Sequence, residues 1–331
     1  DFAPYLYKTT NYGKSWEKIT NGIDQEHFTR VLREDPKKKG LLYAGTETGM
    51  YISFNDGKNW QKFQLNLPIV PITDLTIKDN NLIVATQGRS LWLLDDLTVI
   101  HQLYDANIKT HVLFQPKDSY RMKGEQSKAS PTVGQNHPNG VITYFNLKEL
   151  NDSDEVSLTY LDKNDKVIKT FSNKAKEKKN KLKVKKGANS FVWNMKYDGS
   201  KKLEGMILWW VNLDGPKAVP GEYQVMLKVE DSTKINTFET TKTFNILPDP
   251  RAESSISDMQ KQFDFVSDVN ETVDKAHKSI KNIRAINKQL KAFQTQYKEN
   301  KAVKELLEKA KILENQLSDI EKALYQTKNR S

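Results

Sequence analysis

The sequence predicts a mainly β protein with an α-helical tail, built from partial β-propeller blades, a β-sandwich and a helical hairpin. A strand-rich pattern repeats within the first hundred residues, and further alternating strands follow without a helical stretch between them. Glycine and proline disappear after Pro250, where a heptad pattern begins. We therefore place propeller blades at 1–104, a linker at 105–140, an immunoglobulin-like β-sandwich at 141–250 and an antiparallel helical hairpin at 251–331.

Two copies of a turn-forming pattern, Ser/Thr-x-Asn-x-Gly-x-x-Trp, begin 44 residues apart. The first copy contains Thr9, Asn11, Gly13 and Trp16, and the second contains Ser53, Asn55, Gly57 and Trp60. The short polar side chains of such a pattern bond to the nearby backbone, and glycine supplies a left-handed conformation. Tryptophan fills the gap between neighbouring sheets. We predict structural turns at the rim of the blades rather than a sugar-processing site.

The repeated strands have the period of propeller blades. Residues 82–86 align with residues 41–45 at an offset of 41, and a period of about 40–45 residues is typical of four-stranded blades. The predicted strands are 28–34, 41–45, 49–54, 60–65, 72–77, 82–86 and 90–94. They form the end of one blade, a complete blade and most of another, whereas a closed ring needs roughly 4–8 blades. We expect the remaining N-terminal blades to come from the same gene product or from a separate chain.

Short alternating strands also predict the β-sandwich. A segment rich in Pro, Gly, Ser and Asn at 115–140 precedes them as a connecting loop. The predicted strands are 141–145, 156–161, 167–171, 182–184, 190–195, 221–229 and 238–246. Several short strands with this patterning and no intervening helix are typical of an immunoglobulin-like sandwich.

Two heptad runs predict long helices that pack antiparallel, with a break at 297–301. The first run is Val266, Val269, Val273, Ala276, Ile280, Ile283, Asn287 and Leu290. The second run is Val303, Leu306, Ala310, Leu313, Leu317, Ile320 and Leu324. Asn287 would then be a polar residue in the seam between the helices, and His277 is placed on the helix surface.

Composition excludes several classes of function. The net charge of +10 favours an anionic partner, but the lysine-rich stretch 173–181 has no interleaved aromatic residue on which a base could stack. We interpret it as a solvated loop and predict no nucleic-acid partner. No apolar run reaches the roughly 18 residues of a membrane span. The chain has no cysteine, and its five histidines lack metal-binding spacing, so we predict no metal and no cofactor.

Several segments resemble one family of known proteins. Residues 28–36, 40–53 and 85–96, followed by 136–140 and 219–223, resemble the large BNR/Asp-box propeller proteins of Bacteroidetes. These are usually labelled sortilin-like proteins or glycosyl hydrolases. The resemblance implies a long exported protein, hence a secreted, periplasmic or cell-surface location. This sequence departs from the family pattern at Asn11 and Asn55, where aspartate is usual.

We predict a non-catalytic function, as the scaffold and docking end of a larger exported propeller protein that contacts a peptide, protein or glycan. The alternative is the C-terminal part of a glycoside hydrolase whose acid and base lie in other blades. Such hydrolysis needs two carboxylates roughly 5–10 Å apart, and no pair can be assigned here. Glu47 and Arg89 follow comparable strands and are candidates for lining the propeller mouth. Trp209 and Trp210 form either a sugar-binding platform or a buried plug.

Overall fold

The computed structural model describes residues 2–105, 110–122, 124, 133–205 and 212–325. The protein is mainly β with two long helices at its C-terminus, which confirms the coarse fold class. The chain divides into two compact units. The first comprises 1–115, 144–150 and 185–189, and the second comprises 116–143, 151–184 and 190–331.

Three antiparallel sheets make up most of the first unit. Their strands are β1 (Tyr7–Lys8), β2 (Glu17–Lys18), β3 (Thr29–Glu34), β4 (Leu42–Thr46), β5 (Met50–Ser53), β6 (Gln61–Lys62), β7 (Ile72–Lys78), β8 (Asn81–Thr86) and β9 (Leu91–Leu94). The sheet orders are β1-β2, β3-β4-β5-β6 and β7-β8-β9, so each sheet is a meander of sequential strands.

The middle sheet, β3–β6, is buried on both of its faces. Because successive side chains of a strand point to opposite faces, Leu42 and Ala44 pack with Ile19 on the side of β1–β2. Tyr43 packs on the other side with Ile72 of β7. Gly45 allows the closest approach, since a Cβ atom there would lie 2.6 Å from Cγ2 of Ile72.

A short helix that the sequence analysis does not predict follows the third sheet. Helix α1 spans Thr98–Asp105, and Asp96 caps it by accepting a hydrogen bond from the backbone N–H of Thr98 at 3.0 Å. His101 of α1 contacts the buried carboxylate of Asp35 at 2.7 Å, and the Tyr43 hydroxyl donates to the same oxygen at 3.2 Å. Burial, together with Asp35, raises the pKa of Tyr43. These contacts attach α1 to the middle sheet.

The remaining strands form two further sheets. They are β10 (Val112–Leu113), β11 (Ser119–Arg121), β12 (Val141–Leu147), β13 (Glu155–Asp162), β14 (Val167–Ser172), β15 (Gly187–Trp193), β16 (Gly221–Glu230) and β17 (Thr237–Pro248). The sheet orders are β10-β12-β15 and β11-β17-β16-β13-β14. The predicted linker 105–140 therefore contributes β10 and β11, and β11 pairs in parallel with β17. Residues 182–184 are not a strand, although Leu182 donates a backbone hydrogen bond to Ser172.

An aromatic cluster joins strands of these two sheets in the second unit. The Tyr160 ring of β13 stacks on Trp193 of β15 with centroids 4.5 Å apart. Phe244 of β17 meets both rings edge-on. The Tyr160 hydroxyl forms a 2.8 Å hydrogen bond with Thr143 of β12, and burial raises the pKa of Tyr160. The hydroxyl is thus satisfied inside an apolar core.

The C-terminal helices are α2 (Ile256–Gln296) and α3 (Lys304–Leu324), joined through a short 3-10 turn at Lys301–Val303. Ser255 caps α2 by accepting a hydrogen bond from the Asp258 N–H at 3.1 Å. The side chains of Arg284 and Glu321 pair at 2.7 Å between the two helices. Helix α3 therefore packs against the second half of α2.

The seam differs from the predicted heptad on α3. The residues that α3 buries are Ala310 and Glu314, whereas Leu306, Leu313, Ile320 and Leu324 are exposed. The prediction of those four residues as seam positions is wrong. Glu314 lies at the contact with α2, where it accepts a hydrogen bond from Gln294, and it also pairs with Lys311 of its own helix.

The first half of α2 is attached to the loop after β15. His277 is buried, which makes its prediction as a surface residue wrong, and its Nδ1 atom lies 2.7 Å from the Lys201 carbonyl. The Ser200 hydroxyl donates to Asn270, and the Lys201 N–H donates to Asp274 at 2.8 Å. Sequence spacing along α2 does not reveal this loop contact.

Candidate functional site

The second turn pattern is a closed hydrogen-bonded unit. The Ser53 hydroxyl accepts a bond from the Gly57 N–H at 3.0 Å, and Asn55 Oδ1 accepts one from the Asn59 N–H at 2.9 Å. Asp56 and Gly57 adopt φ values of 61° and 81°, the left-handed conformations that such a turn requires. Asn55 uses only its carbonyl oxygen in these bonds, an acceptor that an aspartate carboxylate would also provide.

Trp60 anchors this turn to the preceding sheet. Its indole is buried, with 5% of the residue exposed, and lies in a cluster with Leu6 and Ile19. Trp60 Nε1 donates to the Ile19 carbonyl at 2.7 Å, and its backbone N–H donates to the Asn21 carbonyl at 2.8 Å. The tryptophan therefore lies between two successive sheets, as the pattern predicts.

The first turn repeats this geometry, but its tryptophan is uncovered. The Thr9 hydroxyl accepts from the Gly13 N–H at 2.9 Å, and Asn11 Oδ1 accepts from the Ser15 N–H at 2.9 Å. Trp16 is 59% exposed, and within the described part of the chain its indole N–H has no acceptor. A buried indole N–H normally has an acceptor, as Trp60 has, whereas the exposed N–H of Trp16 is open to water.

The two outermost sheets of the first unit each present apolar side chains to solvent. On β9, Leu91 and Leu93 are 71% and 59% exposed, whereas Trp92 and Leu94 on its other face join the shared core. On the β1–β2 sheet, Tyr7 and Trp16 are exposed, whereas Leu6 is buried. We call the Leu91/Leu93 surface the β9 face and the Tyr7/Trp16 surface the β1 face. An uncovered apolar sheet face marks an interaction surface.

Glu47 and Arg89 occupy equivalent hairpin turns of consecutive sheets. The turn after β4 contains a bond from the Thr46 N–H to the Gly49 carbonyl at 2.8 Å, and the turn after β8 contains one from Thr86 to Ser90 at 3.2 Å. The two side chains are not brought together as an ion pair among the described residues. Glu47 pairs instead with Arg30 of β3, and Arg89 lies exposed against the Gly88 carbonyl at 3.1 Å.

Sequence reasoning missed the basic side chains of β3. Arg30 neutralises Glu47 and lies over the Phe28 ring at 5.3 Å. Arg33 pairs with Asp74 of β7 at 2.6 Å, between neighbouring sheets. Simple alternation along residues 28–34 would place Arg30 and Arg33 on opposite faces, since they are three positions apart, and it predicts neither the register irregularity between Thr29 and Val31 nor the carboxylate that each arginine meets.

The carboxylates of these sheets are engaged in structural contacts. Asp35 binds His101, Asp56 binds Lys8, and Glu34 accepts the Gly40 N–H at 2.8 Å. Across the ranges that the structure describes, no group of three or more His, Asp or Glu side chains could hold a metal ion. None of the described helices is long and apolar enough to cross a membrane. Trp209 and Trp210 lie outside the described residues.

Comparison with known proteins gives no family. Neither a protein-family model nor a curated protein matches the sequence. CopC from Methylosinus trichosporium OB3b is 16% identical with a TM-score of 0.17, over 35% of this chain and 81% of CopC. Two structures of an extracellular domain from B. thetaiotaomicron, described as belonging to a one component and a hybrid two component system, are 14% identical with TM-scores of 0.22.

The two B. thetaiotaomicron matches cover 76% of this chain, which spans only 34% of the length of those structures. TM-scores of this size do not establish a common fold. The site is therefore defined by its own geometry: two apolar sheet faces and two turns of the same sequence, one with a buried tryptophan and one with an exposed tryptophan.

Proposed function

We propose that this chain is the scaffold and docking end of a larger exported β-propeller protein of the BNR/Asp-box type. Its three successive meanders are the blades, and the β1 and β9 faces dock the remaining blades of the ring. Residues 141–250 are an immunoglobulin-like sandwich and 251–331 a helical hairpin, and both are available for contacts with protein or glycan. The exported setting corresponds to a secreted, periplasmic or cell-surface location.

The contrast between Trp60 and Trp16 carries this proposal. Trp60 shows how one of these turns docks on a neighbouring sheet, with its ring between the sheets and its N–H on a backbone carbonyl. Trp16 has the same turn and no such neighbour. A sheet placed against the β1 face in the way that β1–β2 meets the middle sheet supplies both the apolar surface and the acceptor.

The β9 face supports the same arrangement at the other side. Burial of a leucine side chain contributes about 1.5–3 kcal/mol, so covering Leu91 and Leu93 would stabilise the assembly by several kcal/mol. An uncovered face of this kind is also an aggregation hazard, and ring closure removes it. Both faces therefore favour a blade as their occupant.

The glycoside hydrolase alternative has no support among the described side chains. Its chemistry needs a pair of carboxylates with one kept protonated. Glu47 and Asp74 instead face arginines, and Asp35 is surrounded by hydrogen-bond donors. These contacts give the three carboxylates structural roles.

Charge introduced on the β9 face tests the proposal. The double substitution Leu91→Glu and Leu93→Glu is made both in this chain and in the native gene product, and thermal unfolding is measured in each. We expect the free energy of unfolding of the native protein to fall by at least about 3 kcal/mol, because two buried charges would lack partners. The free energy of unfolding of this chain should change by less than about 0.5 kcal/mol. The matched control is Ile235→Glu, because Ile235 is an exposed apolar residue of the second unit.

If the double substitution lowers the free energy of unfolding by the same small amount in both proteins, nothing covers the β9 face in the native protein. Intact mass determination and N-terminal sequencing of that protein provide a second, independent test. A native species with this chain alone, and no associated blade-bearing chain, would refute the proposal.

A further inference from the structure

A cavity of about 290 Å³ lies within the second unit, between the β11 region and the first half of α2. This is near the lower limit of small-molecule sites, which run from about 300 to 1,000 Å³. Its described lining residues are Arg121, Lys196, Asn212, Asp214, Gly215, Pro216, Lys217, Gln262, Phe263 and Val266. They come from four separate stretches of the chain, at 121, 196, 212–217 and 262–266.

Two cations at this cavity form no salt bridge with any residue that the structure describes. Arg121 Nε donates to the Ala218 carbonyl at 2.9 Å, and Lys217 Nζ donates to the Met122 carbonyl at 3.0 Å. These reciprocal bonds hold both side chains in place. Among the described residues neither cation forms a salt bridge, and the two terminal nitrogens of Arg121 have no acceptor. Half-buried cations of this kind are costly unless an anion compensates them.

A third cation lies beside them and is already neutralised. Lys196 and Lys217 face each other across an isolated antiparallel β-bridge, where side chains of paired residues lie close together. Lys196 pairs with Asp214 at 2.6 Å, and this contact holds the pKa of Asp214 below its usual value. The nearby Asp249 is occupied by Arg251 at 2.8 Å. Asp249 also interacts with Lys217 at longer range, but with Asp214 paired to Lys196 and Asp249 paired to Arg251, the charges of Arg121 and Lys217 leave the cavity with an excess of positive charge.

The ammonium of Lys217 shows the effect of this environment. Burial lowers the pKa of Lys217, and the positive charges of Arg121 and Lys196 lower it further, against a smaller opposing effect of Asp249. Functional sites commonly contain groups perturbed in this way by burial together with named neighbouring charges. A bound anion would remove the repulsion between the cations.

The lining also contains apolar side chains. Phe263 of α2 meets the Tyr197 ring edge-on at 4.7 Å, and Val266 and Pro216 line the same cavity. Gln262 and Asn212 add amide groups to the lining. A cavity that combines cations with apolar side chains suits a molecule with an acidic group and a compact body.

We propose that this cavity binds a small organic anion, with its oxyanion group between Arg121 and Lys217 and its body against Phe263 and Val266. The free edge of a guanidinium matches the two oxygens of a carboxylate or a phosphate ester. The neighbouring ammonium supplies a further donor. An inorganic anion has no apolar or carbon-based part that could contact Phe263 and Val266.

Calorimetric titration tests the proposal with acids and their neutral counterparts. The probes are phenylacetate against phenylacetamide, and glucuronate and glucose 6-phosphate against glucose, with inorganic phosphate as the head group alone. We expect at least one acid to bind about tenfold or more tightly than both its neutral counterpart and inorganic phosphate. Which acid binds distinguishes a carboxylate from a phosphate ester, and an aromatic body from a hydroxylated one.

Two variants locate the binding site. Arg121→Met and Lys217→Met should each lower the affinity for that acid about tenfold or more, because each removes a charge-assisted hydrogen bond. The control Lys183→Met removes an exposed lysine outside the cavity lining and should leave affinity unchanged. Thermal unfolding checks that each variant is folded, and the two variants remove different backbone contacts, so one remains informative if the other unfolds.

Three results would overturn the proposal: no acid binding more tightly than its neutral counterpart, inorganic phosphate binding as tightly as every organic acid, or full affinity retained in both folded variants. The outcome does not depend on the propeller proposal, because every lining residue belongs to the second unit.

Discussion

The two turns of the repeated pattern, at 9–16 and 53–60, have the same local structure and different surroundings. Tyr12 and Gly13 of the first turn have φ values of 58° and 85°, and Asp56 and Gly57 of the second have 61° and 81°. Both turns bond a hydroxyl to the glycine N–H. Trp60 is nevertheless buried against Ile19, whereas Trp16 is exposed. The pattern therefore determines the turn, and a neighbouring sheet determines what the turn contributes to stability.

Substitution of the tryptophans should reveal the largest difference in stability contribution between the two turns. Trp60→Ala removes a buried ring and its bond to the Ile19 carbonyl, so we expect a loss of about 3–5 kcal/mol in unfolding free energy. Trp16→Ala removes an exposed ring and should change that free energy by less than about 0.5 kcal/mol. Native-state hydrogen exchange of the β4 and β5 amides reports on this unit separately. Equal losses of unfolding free energy for the two variants would contradict the difference in burial between the two rings.

The glycines should show an intermediate difference. Alanine at either Gly13 or Gly57 must adopt a left-handed conformation, at a cost of about 1–2 kcal/mol. At Gly57 the new Cβ would also lie 2.6 Å from Cδ1 of Ile19, which adds about 1–3 kcal/mol of overpacking. At Gly13 the nearest atom is in the Trp16 ring at 3.9 Å, so no clash is added. Chemical denaturation of the two variants measures how much more unfolding free energy Gly57→Ala loses than Gly13→Ala. A Gly13→Ala variant as unstable as Gly57→Ala would contradict this explanation.

The hydroxyls should show the smallest difference. Ser53→Ala leaves the buried Gly57 N–H without its acceptor, and we expect a loss of about 1–2 kcal/mol. Thr9→Ala leaves the Gly13 N–H at an exposed position, where water replaces the hydroxyl, so a loss below about 0.5 kcal/mol is expected. Thermal unfolding of both variants with Ser53→Thr as a conservative control tests this. A larger loss of stability for Thr9→Ala than for Ser53→Ala would contradict this expectation.

Local patterns predicted much of the secondary structure. Alternation located β3, β4, β7 and β8 to within a residue or two, since one face of each strand must be apolar. Helix α1 was missed, because it is attached by His101 to Asp35, a residue 66 positions away in the chain. No window of local sequence contains both partners.

The helical hairpin shows that local sequence can predict a helix without predicting which of its faces packs against a neighbour. The heptad of α3 predicts its helical state, but the exposed Leu306 and Leu313 show that periodicity did not determine which side faces α2. Contacts between Arg284 and Glu321, and between Asn287 and Ser318, define that register instead. An α-helix with apolar residues on more than one side has several possible packing faces, and partner contacts select among them.

The sequence by itself determined the strands, the two turns and the two helices, because these depend on backbone preferences and on periodicity within short windows. Only the tertiary structure decided that Trp60 is buried while Trp16 is exposed, and that Arg121, Lys217 and Phe263 line one cavity. Those outcomes depend on contacts between residues far apart in the chain. Their energies arise from burial and charge proximity, which are absent until distant segments meet.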